Sequence, residues 1–293
     1  MDTKKLKVIV ADTAAIFLKN DINVYAGYAT LRILEAMIPL LVLVIAVLNL
    51  LPGYKPEMIA DFVIRLVPNI PEIQELFLST INRLQAQSSG LLASVAAVTT
   101  LFSASHGINA LQKGLQKVAI DSRKTLGGKI KALLFTVFLV LFVPLSMIVV
   151  LIRDNMAQRI GTLLGGIGLV INEDSILRIF RQGRIAVMIG CLFLIIMTYT
   201  YLPDGKRPIR SQIPGAVLCA AGWFLFTEGF SLIMPVFWKW GLYGSLASLF
   251  LTINWLRAMI TILLAGDCFN TAWQRVYPNP AETETASQTP VNS

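Results

Sequence analysis

Tyr25-Ala26-Gly27-Tyr28-Ala29-Thr30-Leu31-Arg32-Ile33-Leu34-Glu35-Ala36-Met37-Ile38-Pro39-Leu40-Leu41, continued by the wholly apolar run Val42–Leu48, is the stretch that decides the fold. A helix rises 1.5 Å per residue, so about 20 apolar residues cross a bilayer's hydrocarbon core. The segment 25–51 exceeds that length and carries only two charges, Arg32 and Glu35. Five more stretches approach or exceed the same length: 90–108, 130–152, 183–202, 213–236 and 244–269. The reading is an all-α, polytopic membrane helix bundle with about six transmembrane helices.

Composition agrees. The chain of 293 residues is 55% hydrophobic and 14% charged, with a mean hydropathy of +0.68. Soluble domains are typically about a quarter charged. The net charge of +8 is read as basic loops meeting anionic lipid, not as a nucleic-acid surface, because no compact basic and aromatic module accompanies it. Cys191, Cys219 and Cys268 lie in apolar stretches without a CxxC pair. Neither a disulfide framework nor a zinc site is expected, nor any other metal or cofactor.

Around the spans, residues 1–22 read as an amphipathic helix at the cytoplasmic surface, with Leu6, Val10, Ala14 and Phe17 on one face. The loop 52–89 holds Pro52, Pro56, Pro68 and Pro71 around two amphipathic runs, 57–67 and 72–84, expected as interfacial helices on the outer surface. The run 160–171 is apolar but half a crossing long, and is read as interfacial or re-entrant. The tail 274–293, rich in Thr, Ser, Glu and Pro from residue 278, is expected to be disordered. Pro39 and Pro144 interrupt spans, where kinks are expected. With the N-terminus inside, fourteen Lys and Arg fall on the inner side against nine outside. Both termini are therefore expected in the cytoplasm of a plasma (inner) membrane protein.

A charge at the centre of a spanning helix costs ~3 kcal/mol on insertion scales, so the misplaced charges are the functional pointers. Tyr25, Tyr28, Arg32, Glu35 and Pro39 recur at helical steps, and Arg32 can reach Glu35 at i, i+3. In the last span Asn254, Arg257 and Thr261 make a second stripe; Glu228 and Ser231 share a face in the fifth. Depth suggests two sites: a mid-membrane pair, Glu228–Arg257, and an inner cluster of Arg32, Glu35, His106 and Asp267. Each has a plainer reading beside it. Paired charges can serve packing alone, Arg32 and Asp267 lie near enough to a boundary to snorkel, and His106 can be a packing histidine. Catalytic residues are not expected: one histidine and few loop carboxylates supply neither a metal cluster nor a base–nucleophile set.

Read in order, these elements resemble the YihY/BrkB family of integral membrane proteins, once labelled ribonuclease BN-like. The resemblance covers about residues 16–273. It is carried by the first-span run from Tyr25-Ala26-Gly27-Tyr28-Ala29 to Met37-Ile38-Pro39-Leu40-Leu41. Ser103-Ala104-Ser105-His106-Gly107 follows as a small-residue turn before an amphipathic helix beginning Ile108-Asn109-Ala110-Leu111-Gln112. Tyr201-Leu202-Pro203-Asp204-Gly205-Lys206-Arg207 with Pro214-Gly215-Ala216 matches the family's basic loop and re-entry. Tyr243-Gly244-Ser245-Leu246-Ala247 and Leu263-Leu264-Ala265-Gly266-Asp267 resemble its last span. Where the family commonly has Glu, this chain has Asp267, which keeps the carboxylate; Arg32 and Glu35 replace residues usually apolar or hydroxylic. The resemblance implies a six-helix inner-membrane protein linked to envelope lipid movement and not a ribonuclease. The function expected is a transporter or lipid-translocating protein for an anionic or headgroup-bearing substrate. The alternative is a non-transporting envelope scaffold. The expected partners are membrane lipids, such a substrate, and a membrane-protein partner or a second copy, but no nucleic acid.

Overall fold

A computed structural model describes residues 3–48, 70–86, 90–118, 130–142, 184–204, 207–238 and 246–277. The expected features at 57–67, at Pro144, at 160–171 and in the tail from 278 lie outside the described residues. Every regular element among the described residues is an α-helix: α1 Thr3–Lys19, α2 Ile22–Leu48, α3 Pro71–Ala86, α4 Gly90–Val118, α5 Ile130–Phe142, α6 Arg184–Tyr201, α7 Ile209–Trp238 and α8 Leu246–Val276. Helices α2, α7 and α8 contain windows long and apolar enough to cross a membrane, Ile22–Leu43, Ile209–Ile233 and Leu249–Val276; α5 and α6 contribute the shorter apolar segments Ile130–Phe142 and Ile189–Tyr201. The chain folds as a helical membrane bundle. Large apolar side chains such as Val98, Leu225, Leu232 and Phe250 project from it, as a surface facing acyl chains requires.

Helices α2 and α4 form the most extensive pair. They run antiparallel: Gly107 abuts Ile33, and seven residues on Gly114 meets Tyr25. Gly107 and Gly114 lie two turns apart, and neither has a side chain to hold the backbones apart. Helices α7 and α8 form a second antiparallel pair, with α6 against α7. The tightest approach is at Gly215 and Gly266, where a Cβ on Gly215 would collide with the Gly266 carbonyl and one on Gly266 with the Tyr199 hydroxyl.

One expectation needs correction. The turn read at 103–107 is absent: α4 continues unbroken from Gly90 to Val118. The small residues there admit α2 instead of ending the helix, and Ser105 returns its hydroxyl proton to the Phe102 carbonyl at 2.7 Å. Helix α1 joins the bundle through another face, with Ile9 and Ile16 buried, while Leu6, Val10 and Ala14 are exposed and Phe17 is half-buried. Helix α1 lies along α8, with Lys5 over the Tyr277 ring at 5.1 Å. The α1–α2 joint is closed by Asn20, whose side chain donates to the Ile16 carbonyl at 2.9 Å, and by Asp21 in the left-handed region (φ 51°). Aspartate is among the few non-glycine residues that visit that region readily.

Among the described residues one buried cluster gathers at one end of the bundle. It joins Ile9 and Ile16, the first turns of α2 (Ile22, Ala26, Ala29), the last of α4 (Leu111, Leu115, Val118), and the end of α6 (Ile195, Tyr199, Leu202). Ala216 and Cys219 from the start of α7 and Leu263, Leu264, Cys268 and Ala272 of α8 complete it. The amphipathic run read at 72–84 falls in α3, with Ile73, Phe77 and Ile81 buried.

Candidate functional site

The sequence-predicted positions divide. Glu228 and Arg257 do not form an ion pair among the described residues. Their depths do match: Trp223 Nε1–H donates to the Met259 carbonyl at 2.7 Å and Trp255 Nε1–H to Thr227 Oγ1 at 3.3 Å, which sets Glu228 within a turn of Arg257. Azimuth separates them. Helix α8 meets α7 through Trp255, Met259 and Gly266, and Arg257 projects from the other side, about 200° around from Trp255. There its guanidinium donates to Asn23 Oδ1 at 3.3 Å. Glu228 is exposed on α7. Asn254 turns back on its own helix, donating to the Phe250 carbonyl at 2.8 Å.

The inner cluster also splits. Arg32 and Glu35 are paired at 3.0 Å on the exposed side of α2. Gly107 against Ile33 sets His106 at their level, where its ring meets Phe102 edge-on with centroids 4.5 Å apart. Asp267 belongs elsewhere. It is fully buried and accepts from Arg207 at 2.7 Å.

That ion pair anchors a buried polar joint at the core end. Helix α6 closes at Leu202, whose N–H donates to the Thr198 carbonyl, and Pro208 opens α7 by accepting from both the amide and the hydroxyl of Ser211. Between them the loop is held from two sides. Gln112 of α4 donates to the Leu202 carbonyl at 2.8 Å, and Gln116, one turn on, to Asp204 Oδ2 at 2.9 Å. From α8, Asp267 takes Arg207, and Asn270, three residues on, accepts from the Gly215 amide at 2.6 Å while donating to the Gln212 carbonyl at 3.2 Å. Tyr199 donates to the Leu263 carbonyl at 2.6 Å, completing the tie from α6 to α8. Buried polar groups must be paired or cost several kcal/mol, so such a network fixes one arrangement of four helices. Its members Gln116, Gln212 and Asn270 escaped the sequence reading, and Gln112 entered it only as part of a motif and not as a site residue. The signal was present: neutral amides at i, i+4 on an otherwise apolar helix face, and an Asn three residues beyond Asp267.

A second polar feature lies open. On α2, Tyr25, Tyr28, Arg32 and Glu35 line the edge that borders α4. On α4, His106, Asn109, Lys113 and Lys117 follow at helical steps. Arg32 lies over the Tyr28 ring at 5.5 Å, Lys113 approaches the same ring at 5.6 Å, and Lys117 lies over Tyr25 at 6.0 Å. Among the described residues neither lysine is salt-bridged. Ser105, His106 and Asn109 also line, with Ala132 and Leu133 of α5, a cavity of about 210 Å³.

Residues 13–290 match the family model described as Virulence factor BrkB. A curated relative from Bacillus subtilis (strain 168), described as "Putative ribonuclease-like protein YfkH", is 27% identical over 182 residues, 61% of this chain and 65% of that protein. The chain thus spans just under two thirds of that relative's length. No solved structure matches.

Proposed function

This chain belongs to the virulence factor BrkB family of membrane proteins, and on that footing we propose that it is a transporter of anionic, headgroup-bearing molecules, a lipid-translocating protein of the cell envelope. One observation carries the reading. Arg257 stands on the exposed side of a 28-residue apolar window, and its partner among the described residues is the neutral amide of Asn23. A guanidinium so placed is satisfied by a phosphate or carboxylate, which it grips with two parallel hydrogen bonds. The Lys and Arg bias towards the inner side supports both termini in the cytoplasm, in keeping with a plasma-membrane protein. The reading is non-enzymatic and requires no cofactor.

The test is reconstitution into liposomes carrying a trace of phosphatidylglycerol with a fluorescent headgroup, with movement followed by quenching of the outer leaflet. The wild type is expected to exchange the lipid between leaflets. Arg257→Gln is expected to slow exchange about tenfold, the equivalent of losing one charge-assisted hydrogen bond. Rates equal to protein-free liposomes overturn the proposal.

The scaffold alternative draws on the buried joint, which ties four helices rigidly. A partner that recurs on purification, together with no lipid movement, decides for it.

A further inference from the structure

We propose that the open edge between α2 and α4 is a binding site for the headgroup of an anionic glycerophospholipid. The site rests on the lipid-handling reading for its purpose and names the substrate class. Three cations meet there: Arg32 from one helix, and Lys113 and Lys117 from the other. Glu35 neutralises one of them. Neither lysine is salt-bridged among the described residues, so the edge is complementary to a phosphodiester carrying one negative charge and to a phosphomonoester carrying two.

The aromatic residues set the cations' places. Lys113 and Arg32 share the Tyr28 ring, and Lys117 uses Tyr25. Both cations are held to one ring, so they lie no farther apart than the sum of their two distances to its centroid. A phosphate with its ester and glycerol oxygens spans a gap of that size. Depth favours a lipid as the source. Tyr25 and Tyr28 occupy the first two turns of a window beginning at Ile22, the headgroup level, where tyrosines are commonly enriched. Further along the same edge the surface turns apolar, with Phe102 of α4 and Leu133 and Leu134 of α5 exposed. Between those helices lies the cavity lined by Ser105, His106 and Asn109, which can take glycerol and ester oxygens. A free phosphate would use the cations and leave this apolar extension idle; a phospholipid uses both.

The probe is a photoactivatable phosphatidylglycerol in nanodiscs of phosphatidylcholine containing the full-length protein. Labelling is expected in α2, α4 and α5 peptides around Tyr28, Phe102 and Leu133, and a photoactivatable phosphatidylcholine is expected to label them several-fold less. Lys113→Gln and Lys117→Gln are each expected to lower labelling about fivefold. Both lysines are exposed, so folding is expected to be unchanged by gel filtration. Tyr28→Phe, which keeps the ring face, retains labelling, and Tyr28→Leu loses it. Equal labelling by the two lipids, no response to the lysine variants, or full competition by millimolar inorganic phosphate overturns the site. Charge-dependent labelling without leaflet exchange in liposomes leaves the site standing and removes the translocation reading. Exchange without charge-dependent labelling does the reverse.

Discussion

Asp267 shows what a single buried carboxylate demands. It lies at 0% exposure, 2.7 Å from Arg207, a residue of the α6–α7 loop. Removing one member of such a pair strands the other charge, which typically costs ~3–5 kcal/mol, whereas removing both costs far less. Arg207→Gln is therefore expected to lower thermal stability in detergent strongly, and Arg207→Gln with Asp267→Asn to recover much of the loss. Additive losses in the two single variants and the double variant would contradict the pairing. The sequence pointed to Asp267, because a carboxylate in an apolar run stands out. It could not point to Arg207, one of several cations in a basic loop. Glu228 and Arg257 teach the opposite lesson. Their depths agree, yet rotation about the α8 axis carries Arg257 away from α7 towards Asn23. Depth follows from counting residues along one helix; azimuth follows from which neighbour each face meets.

At the scale of elements, hydropathy located α2, α7 and α8 well, because a run of twenty apolar residues admits few other structures in lipid. Glycine was less legible. Gly107 resembled part of a turn, yet it sits within an unbroken helix and admits Ile33. Gly215 and Gly266 were read as family landmarks without a role, and the structure makes them the crossing point of α7 and α8. Gly215→Ala is expected to force the two helices apart and destabilise by ~1–3 kcal/mol or more. Gly27→Ala, in a helix with nothing within 4 Å of the new methyl, is expected to be neutral or to stabilise by up to ~1 kcal/mol. Paired denaturation curves check both, and equal responses would remove the crossing as the cause.

At the scale of the whole molecule, α1 and the start of α2 lie in succession along α8, from Lys5 at Tyr277 to Asn23 at Arg257. The two ends of the described chain thus emerge on the same side. Cysteines introduced at Thr3 and Tyr277, with Cys191, Cys219 and Cys268 replaced by alanine, are expected to react with a membrane-impermeant maleimide from one face only, and from the same face. Modification from opposite faces would break the α1–α8 packing. By itself the sequence determined the class, the apolar stretches and the charges that need explaining, because the hydrophobic requirement of a bilayer is local and is written residue by residue. Only the tertiary structure decided which charge meets which. It buried Asp267 against Arg207, left Arg257 on an exposed face, and set Lys113 and Arg32 over one tyrosine. Those outcomes depend on helix rotation and close backbone approach, which arise from contacts between segments far apart in the chain and leave no periodic mark in either one.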